Sequence, residues 1–345
     1  MENTEKIEKR KNIVFIIGNG FDLNLGLKTS YYDFVKWYTK IDSNDNQPVQ
    51  FLKDHIDIEY FKWGDLELKL GEYTSLYDNY EEFYKAYCDM GEKLMLYLSL
   101  EENKYFQMMD TQKRAIAHSL IDDILIFCTK NNLFSNDDIE IDIVTFNYTA
   151  ILDEIVNLIN ERDDLKEILQ RKKVNIHLPI HCHGILNRRK ICFGVDNYSQ
   201  IINQKIFEKH SRFIEQMIKP KRNKAINEKN MLEAEKIIKN SDVIVIYGCS
   251  FGGTDYSWLK KIKQRMGATI YYNVFDGERI EFEETNIKDD IILINYSYKK
   301  IPKSTFDADF FEFRDIIREK YAFKDDKRVI VSDINIFETI RNKVN

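Results

Sequence analysis

Prolines are scarce in this chain, with four among 345 residues. That excludes a Pro-rich linker or low-complexity protein and leaves room for long unbroken helices. Cys88, Cys128, Cys182, Cys192 and Cys249 contain no Cys-x-x-Cys pair. A paired-cysteine zinc site and a disulfide framework are therefore excluded, no structural zinc is expected, and an odd thiol count agrees with a reducing compartment. No stretch approaches the roughly 20 consecutive apolar residues of a membrane helix, and the charged opening MENTEKIEKRKN leads straight into a core strand. A cytoplasmic protein without a membrane partner is expected. An excess of basic residues is missing too: the formal net charge is -6. Unspecific polyanion binding over the whole surface is thereby disfavoured, and nucleic acid is not an expected partner.

What is present is an ordinary globular composition, 43% hydrophobic and 31% charged. The organisation reads as one α/β domain over residues 1–345, with helical insertions at about 50–135 and 196–240. Residues 50 to 135 mix acidic, aromatic and aliphatic positions at helical spacing, as in FYKAYCDMGEKLMLYLSLEENKYF. Residues 196 to 240 are helical and richer in Lys and Arg, a locally basic surface. Between and around them lie strand-like runs at Ile13–Ile17, Asp142–Tyr148, Val174–Gly184, Ile244–Tyr247, Ile270–Val274 and Ile291–Ile294, with a crossover helix at Leu152–Leu169. These predict a Rossmann-like parallel sheet of about six strands.

The most informative run is IVFIIGNGFDLNLGLKTSYYDF, where a buried strand ends in Gly18-Asn19-Gly20 and turns into an amphipathic segment. Glycines allow positive φ and close approach of a ligand, and a helix start offers unpaired N–H groups. The strand ends TFNYT, HCHG and YGCS carry further polar clusters. In an open α/β sheet ligands bind beyond the carboxyl ends of the strands, so these segments point at one crevice. Its expected ligand-holding residues are Gly18, Asn19, Gly20, Phe21, Asp22, Thr29, Gly248, Ser250 and Asp255. Asn147 and His183 are the expected catalytic pair. The competing reading makes Asn147 a helix cap, His183 a satisfied core histidine and Asp255 a cap of the next helix.

GNGFDLNLGLKTSY, WGDLE at Trp63 to Glu67, TFNYTAILD, HCHG and YGCSFGGTD, in this order, resemble the AbiH family of bacterial abortive-infection proteins. Gly18, Gly20 and Gly26, Asn147, the His183-Gly184 pair and Gly248–Ser250 are more distantly similar to the SIR2-like NAD-consuming enzymes. The first resemblance implies phage defence, with a phage-derived trigger or self-association as expected partners. The second implies a SIR2-like sheet and NAD or a related nucleotide as substrate, with Asn147 at the nicotinamide ribose and His183 as the catalytic histidine. The sirtuin zinc cysteines are missing, which sets deacylation aside. Asp22 and Tyr31 also replace a small residue and an arginine of that pattern, and a carboxylate repels a pyrophosphate.

Histidine titrates near neutral pH and can act as general base, while an amide can orient water or a ribose. A metal reading draws on His177, His181, His183 and Cys192, with His181 and His183 on one face of a strand. No metal ligand is assigned. Asp65 reads as a helix cap beside a solvated Glu67, although both recur with Trp63 in the AbiH resemblance and could close over the pocket. Two other functions stay open: a noncatalytic nucleotide-sensing module, and a nuclease holding a divalent cation on Asp22, Asp65 and Glu67.

Overall fold

Continuous β-branched sequence makes Arg10–Ile17 (β1) the centre of the sheet, buried from Ile13 to Ile17. A computed structural model describes residues 10–58, 66–134, 137–188, 190–249, 255–265, 269–273, 329–332 and 336–340. After β1 come Gly20–Asn24 (α1), Tyr31–Tyr38 (α2), Gln47–Asp54 (α3), Leu66–Tyr73 (α4), Tyr80–Phe106 (α5) and Asp110–Lys130 (α6). Ser30 starts α2 by accepting a hydrogen bond from the Asp33 amide at 3.0 Å, and Asn79 starts α5 by accepting one from Glu82 at 3.0 Å. Then follow Asp138–Thr145 (β2), Ile151–Glu161 (α7), Asp163–Arg171 (α8), Val174–Ile176 (β3), Ile180–His181 (β4), Gly184–Ile185 (β5) and Lys190–Ile191 (β6). Ser211–Met217 (α9), Lys219–Asn240 (α10), Val243–Tyr247 (β7), Tyr256–Gln264 (α11), Thr269–Asn273 (β8) and Val329–Ser332 (β9) complete the described elements.

The expected mixed α/β architecture with a parallel sheet and many helices is what forms. Among the described residues the order is β3-β2-β1-β7-β8-β9, all parallel, with β4 also alongside β2. The order reverses between β1 and β7, where Ile17 lies opposite Tyr247 on one side and Thr145 on the other. Ile13, Phe15, Ile17, Ile141, Val243 and Val245 face a core shared with α6, α7 and α8. The opposite face, Val14, Ile16, Ile244 and Ile246, is equally buried; α10 packs on β1 and β4 and against α11.

Several element expectations shift for local reasons. The strand expected at 174–184 is split into β3 and β4, because Pro179 between them has no N–H to give the ladder. The single crossover helix is two: Arg162 is extended at φ -100, ψ 121, where the apolar stripe ending at Ile159 restarts out of phase at Leu165. β2 ends at Thr145, so Asn147 sits beyond the strand in the loop before α7. Helical structure begins at Gly20 and continues through α2, ahead of the expected insertion. A second hydrophobic cluster joins residues 34–98 to residues 186–218 through Phe83, Tyr87, Phe193, Phe207 and Phe213. The expected strand at Ile291–Ile294 lies outside the described residues.

Candidate functional site

The loops after β1 and β7 meet backbone to backbone. Gly18 N–H donates to Tyr247 O at 2.9 Å and Gly20 N–H to Gly248 O at 3.0 Å. A Cβ on Gly20 would strike the Gly248 Cα, and one on Gly18 would lie 2.6 Å from Gly248 O. Gly248 itself has φ +65. The glycines therefore serve a loop-to-loop contact, which spends two of the amides expected to cradle an anion. Asn19 donates its side-chain amide to Thr29 O at 3.1 Å and so ties the loop to the start of α2. Phe21 departs from its expected place at a ligand: it is fully buried with its ring 5.5 Å from that of Phe337, a packing position.

Asp22 sits under the loop, fully enclosed. Its two oxygens accept from Asn147 Nδ2 at 3.0 Å and Thr149 Oγ1 at 2.7 Å. Burial pushes its carboxyl up to about 7, a rise that these hydrogen bonds only partly offset. When ionised, Asp22 can only accept, and it then holds the Asn147 amide with Nδ2 inward and Oδ1 outward. Asn147 does not cap α7. Ala150 holds that position, and its N–H is taken by the buried Glu102 on α5.

His181 and His183 point to different partners rather than along one strand face. His181 lies between Asn147 O, 3.0 Å from Nδ1, and Asp153 Oδ2, 2.7 Å from Nε2. His177 pairs with Glu140 at the surface. His183 is buried against Phe146, with Nδ1 at 3.3 Å from Asn223 Nδ2. Its Nε2 is 3.1 Å from Asp255 Oδ1, an ion pair whenever the ring is protonated. Burial, reinforced by the Lys219 ammonium, pushes His183 below its usual range despite Asp255. The ring is neutral at neutral pH and able to accept a proton.

Asp255 stands at the N-cap position of α11 without capping it. Its carboxylate instead accepts from Lys219 Nζ at 2.8 Å, and the same ammonium donates to Glu67 Oε2 at 2.6 Å. Burial alone would raise Asp255, but Lys219 and His183 hold it well below the usual carboxylate range. Glu67 is therefore not solvated: it is buried and also accepts from the Tyr148 hydroxyl at 3.1 Å. Trp63, Asp65 and Ser250 lie outside the described residues. Burial pushes Cys192 up to about 12 and raises Cys182 and Cys249 well above the ordinary thiol, so none of these three supplies a thiolate.

Lys219 and Asn223 are site residues that the sequence reading placed on a basic surface. A signal was available. Lys219, Asn223, Asn227 and Asn230 recur every three or four residues along α10, which kinks at Asn227 (φ -142, ψ 23), and asparagine is a poor helix residue unless its amide is needed elsewhere. Asn227 and Asn230 donate to His181 O at 2.7 and 3.3 Å, while Asn223 meets His183. Six buried side-chain N or O atoms lack a hydrogen-bond partner among the described residues, and Thr29 Oγ1, Asn147 Oδ1, His183 Nε2, Asp196 Oδ1 and Asn223 Oδ1 are five of them. All five belong to the loops and to α10 at the carboxyl end of the sheet. A shallow recess on α6, lined by Arg114, His118, Asp122 and Thr339 among others, shares no residue with this cluster.

Among the described residues no three His, Cys, Asp or Glu side chains converge as a metal-binding group, and no helix is long and apolar enough to cross a membrane. The profile of the family described as bacteriophage abortive infection AbiH matches residues 14–275. No curated protein and no solved structure matches the chain.

Proposed function

The chain belongs to the AbiH family of bacteriophage abortive infection proteins, and from that premise we propose a cytoplasmic effector that hydrolyses the N-glycosidic bond of NAD or a related nucleotide. A role in abortive-infection defence comes with the family. The chemistry rests on one observation: Asn147 Oδ1, buried and without a hydrogen-bond partner, and the buried His183 imidazole beside Asp255 stand at the carboxyl end of the sheet near the reversal between β1 and β7. Buried polar atoms without partners cost about 1–3 kcal/mol each and persist where a ligand completes them. The strand order supports a six-stranded SIR2-like reading of the sheet, since doubly wound nucleotide-binding sheets reverse at the same place.

In this reading the His183 imidazole removes a proton from water as the water oxygen bonds to the ribose C1′. The C1′–N bond breaks, and its electron pair leaves on nicotinamide, which turns from a pyridinium cation into a neutral base. Asn147 Oδ1 orients the water or a ribose hydroxyl. A nuclease reading is less well supported. Asp22 spends both oxygens on Asn147 and Thr149, and an ammonium already occupies the space between Glu67 and Asp255. Incubating the purified full chain with NAD, with and without phage lysate, should release nicotinamide. Binding of NAD without release in either condition would leave the sensing module as the function.

A further inference from the structure

Resting on the nucleotide reading above, we infer that His181, steadied by Asp153, is a positioning residue that holds the main chain of Asn147 and so fixes where Asn147 Oδ1 points. Both residues belong to the motifs TFNYTAILD and HCHG, and the proposed hydrolysis uses neither. Three of the four hydrogen-bonding atoms of Asn147 are taken. Its N–H donates to Thr145 Oγ1 at 3.1 Å, its Nδ2 to Asp22 Oδ1 at 3.0 Å, and its carbonyl oxygen lies 3.0 Å from His181 Nδ1. Oδ1 is the fourth, enclosed and without a hydrogen-bond partner. Its direction follows from the other three.

His181 is itself anchored on two sides. β4 sets it opposite Thr145 of β2, and its own carbonyl accepts from Asn227 and Asn230 of α10 at 2.7 and 3.3 Å. The buried ring then reaches from Asn147 O to Asp153 Oδ2, 2.7 Å from Nε2, in the first turn of α7. A carbonyl oxygen can only accept, so Nδ1 carries hydrogen, and a second hydrogen lies between Nε2 and the Asp153 carboxyl. With both nitrogens engaged, the ring cannot turn without breaking both contacts. β4 and α7 thereby grip the loop that presents Asn147. Misplacing a group that orients a reactant by about 1 Å can cost about a hundredfold in rate.

Asparagine and glutamine separate the two ends of the ring. Asparagine carries its amide nitrogen as many bonds from Cα as histidine carries Nδ1, and glutamine as many as Nε2. His181→Asn therefore keeps a donor for the Asn147 carbonyl, whereas His181→Gln keeps one for Asp153 only. Two quantities are measured on the purified full chain: nicotinamide release from NAD, and the side-chain NH₂ resonances of Asn147 in protein isotopically labelled on asparagine, identified by their loss in Asn147→Gln. His181→Asn should leave the resonances in place and kcat within about threefold of wild type. His181→Gln should move the resonances and lower kcat by about tenfold or more with KM little changed. Asp153→Ala should act in the same direction, and Asp153→Asn, whose amide oxygen still accepts from Nε2, should restore wild-type behaviour. Equal losses in His181→Asn and His181→Gln would overturn the inference, as would unmoved Asn147 resonances in His181→Gln. If the His181 variants are not recovered folded, the Asp153 pair decides, and equal behaviour of Asp153→Ala and Asp153→Asn overturns it. A wild-type chain that releases no nicotinamide removes the hydrolase, and the resonances alone then decide the role of His181.

Discussion

The side-chain states of Asn147 and His183 are set by what surrounds them. A carboxylate fixes the amide of one, and burial beside an ammonium keeps the other neutral. His183→Ala and Asn147→Ala are expected to abolish nicotinamide release and phage protection while the folded protein is recovered at normal yield; protection retained by both variants would refute the enzyme reading. Asp22 makes a separate prediction about pH. Its folded value of about 7 lies above the ordinary 3.8, so the folded state holds an extra proton between them and loses stability as pH rises through that window. Asp22→Asn removes this loss. The stability of the variant relative to wild type, from urea unfolding, should therefore increase from about pH 4 to about pH 8. The same substitution introduces an amide that donates as well as accepts, which releases the orientation of Asn147 and should weaken nucleotide binding.

At the scale of elements, helices reach into the strand ends and set their geometry. α5 accepts from the Lys28 amide through Glu101 and from the Ala150 amide through Glu102, clamping the loops after β1 and β2. α10 supplies Lys219 at its start and asparagines along one side. Removing one partner of a buried ion group leaves the others charged and dry, so Lys219→Met should cost about 3–5 kcal/mol in urea unfolding. Adding Glu67→Gln should recover part of that loss; a simple sum of two penalties would show that the pair is not coupled. Gly248→Ala combines φ +65 with a Cβ 2.6 Å from the Gly20 Cα, and should lower the thermal midpoint more than a surface Gly→Ala change does. Glycines at 18, 20 and 248 were legible as a turn, but their mutual contact was not, because it joins residues some 230 positions apart.

Across the whole molecule, two hydrophobic clusters flank the site, one on the sheet and one binding residues 34–98 to 186–218. Glu67 belongs to the second region, Asp255 to α11, and Lys219 joins them. The buried triad thus ties the helical part to the strand ends. Chemistry at this scale separates the proposed hydrolase from a nuclease. Nicotinamide leaves as a neutral base, so nicotinamide release should be insensitive to EDTA, whereas a nuclease must neutralise a phosphoryl transition state with a bound cation. Metal-dependent cleavage of DNA or RNA by the purified chain, with NAD left intact, would reverse the assignment.

The sequence by itself determined the parallel sheet, the helical insertions and the family, because β-branched runs, helical periodicity and ordered motifs are local properties of the chain. It also named Asn147, His183 and Asp255 as candidate site residues. Tertiary structure decided what each does: Asp22 became the buried support of Asn147, Phe21 a core ring, Glu67 a buried anion and Lys219 its counter-ion. The physical reason is that charge state and hydrogen-bond partnership depend on burial and on groups distant in sequence. Lys219 and Glu67, separated by 152 positions, meet only when the chain has folded.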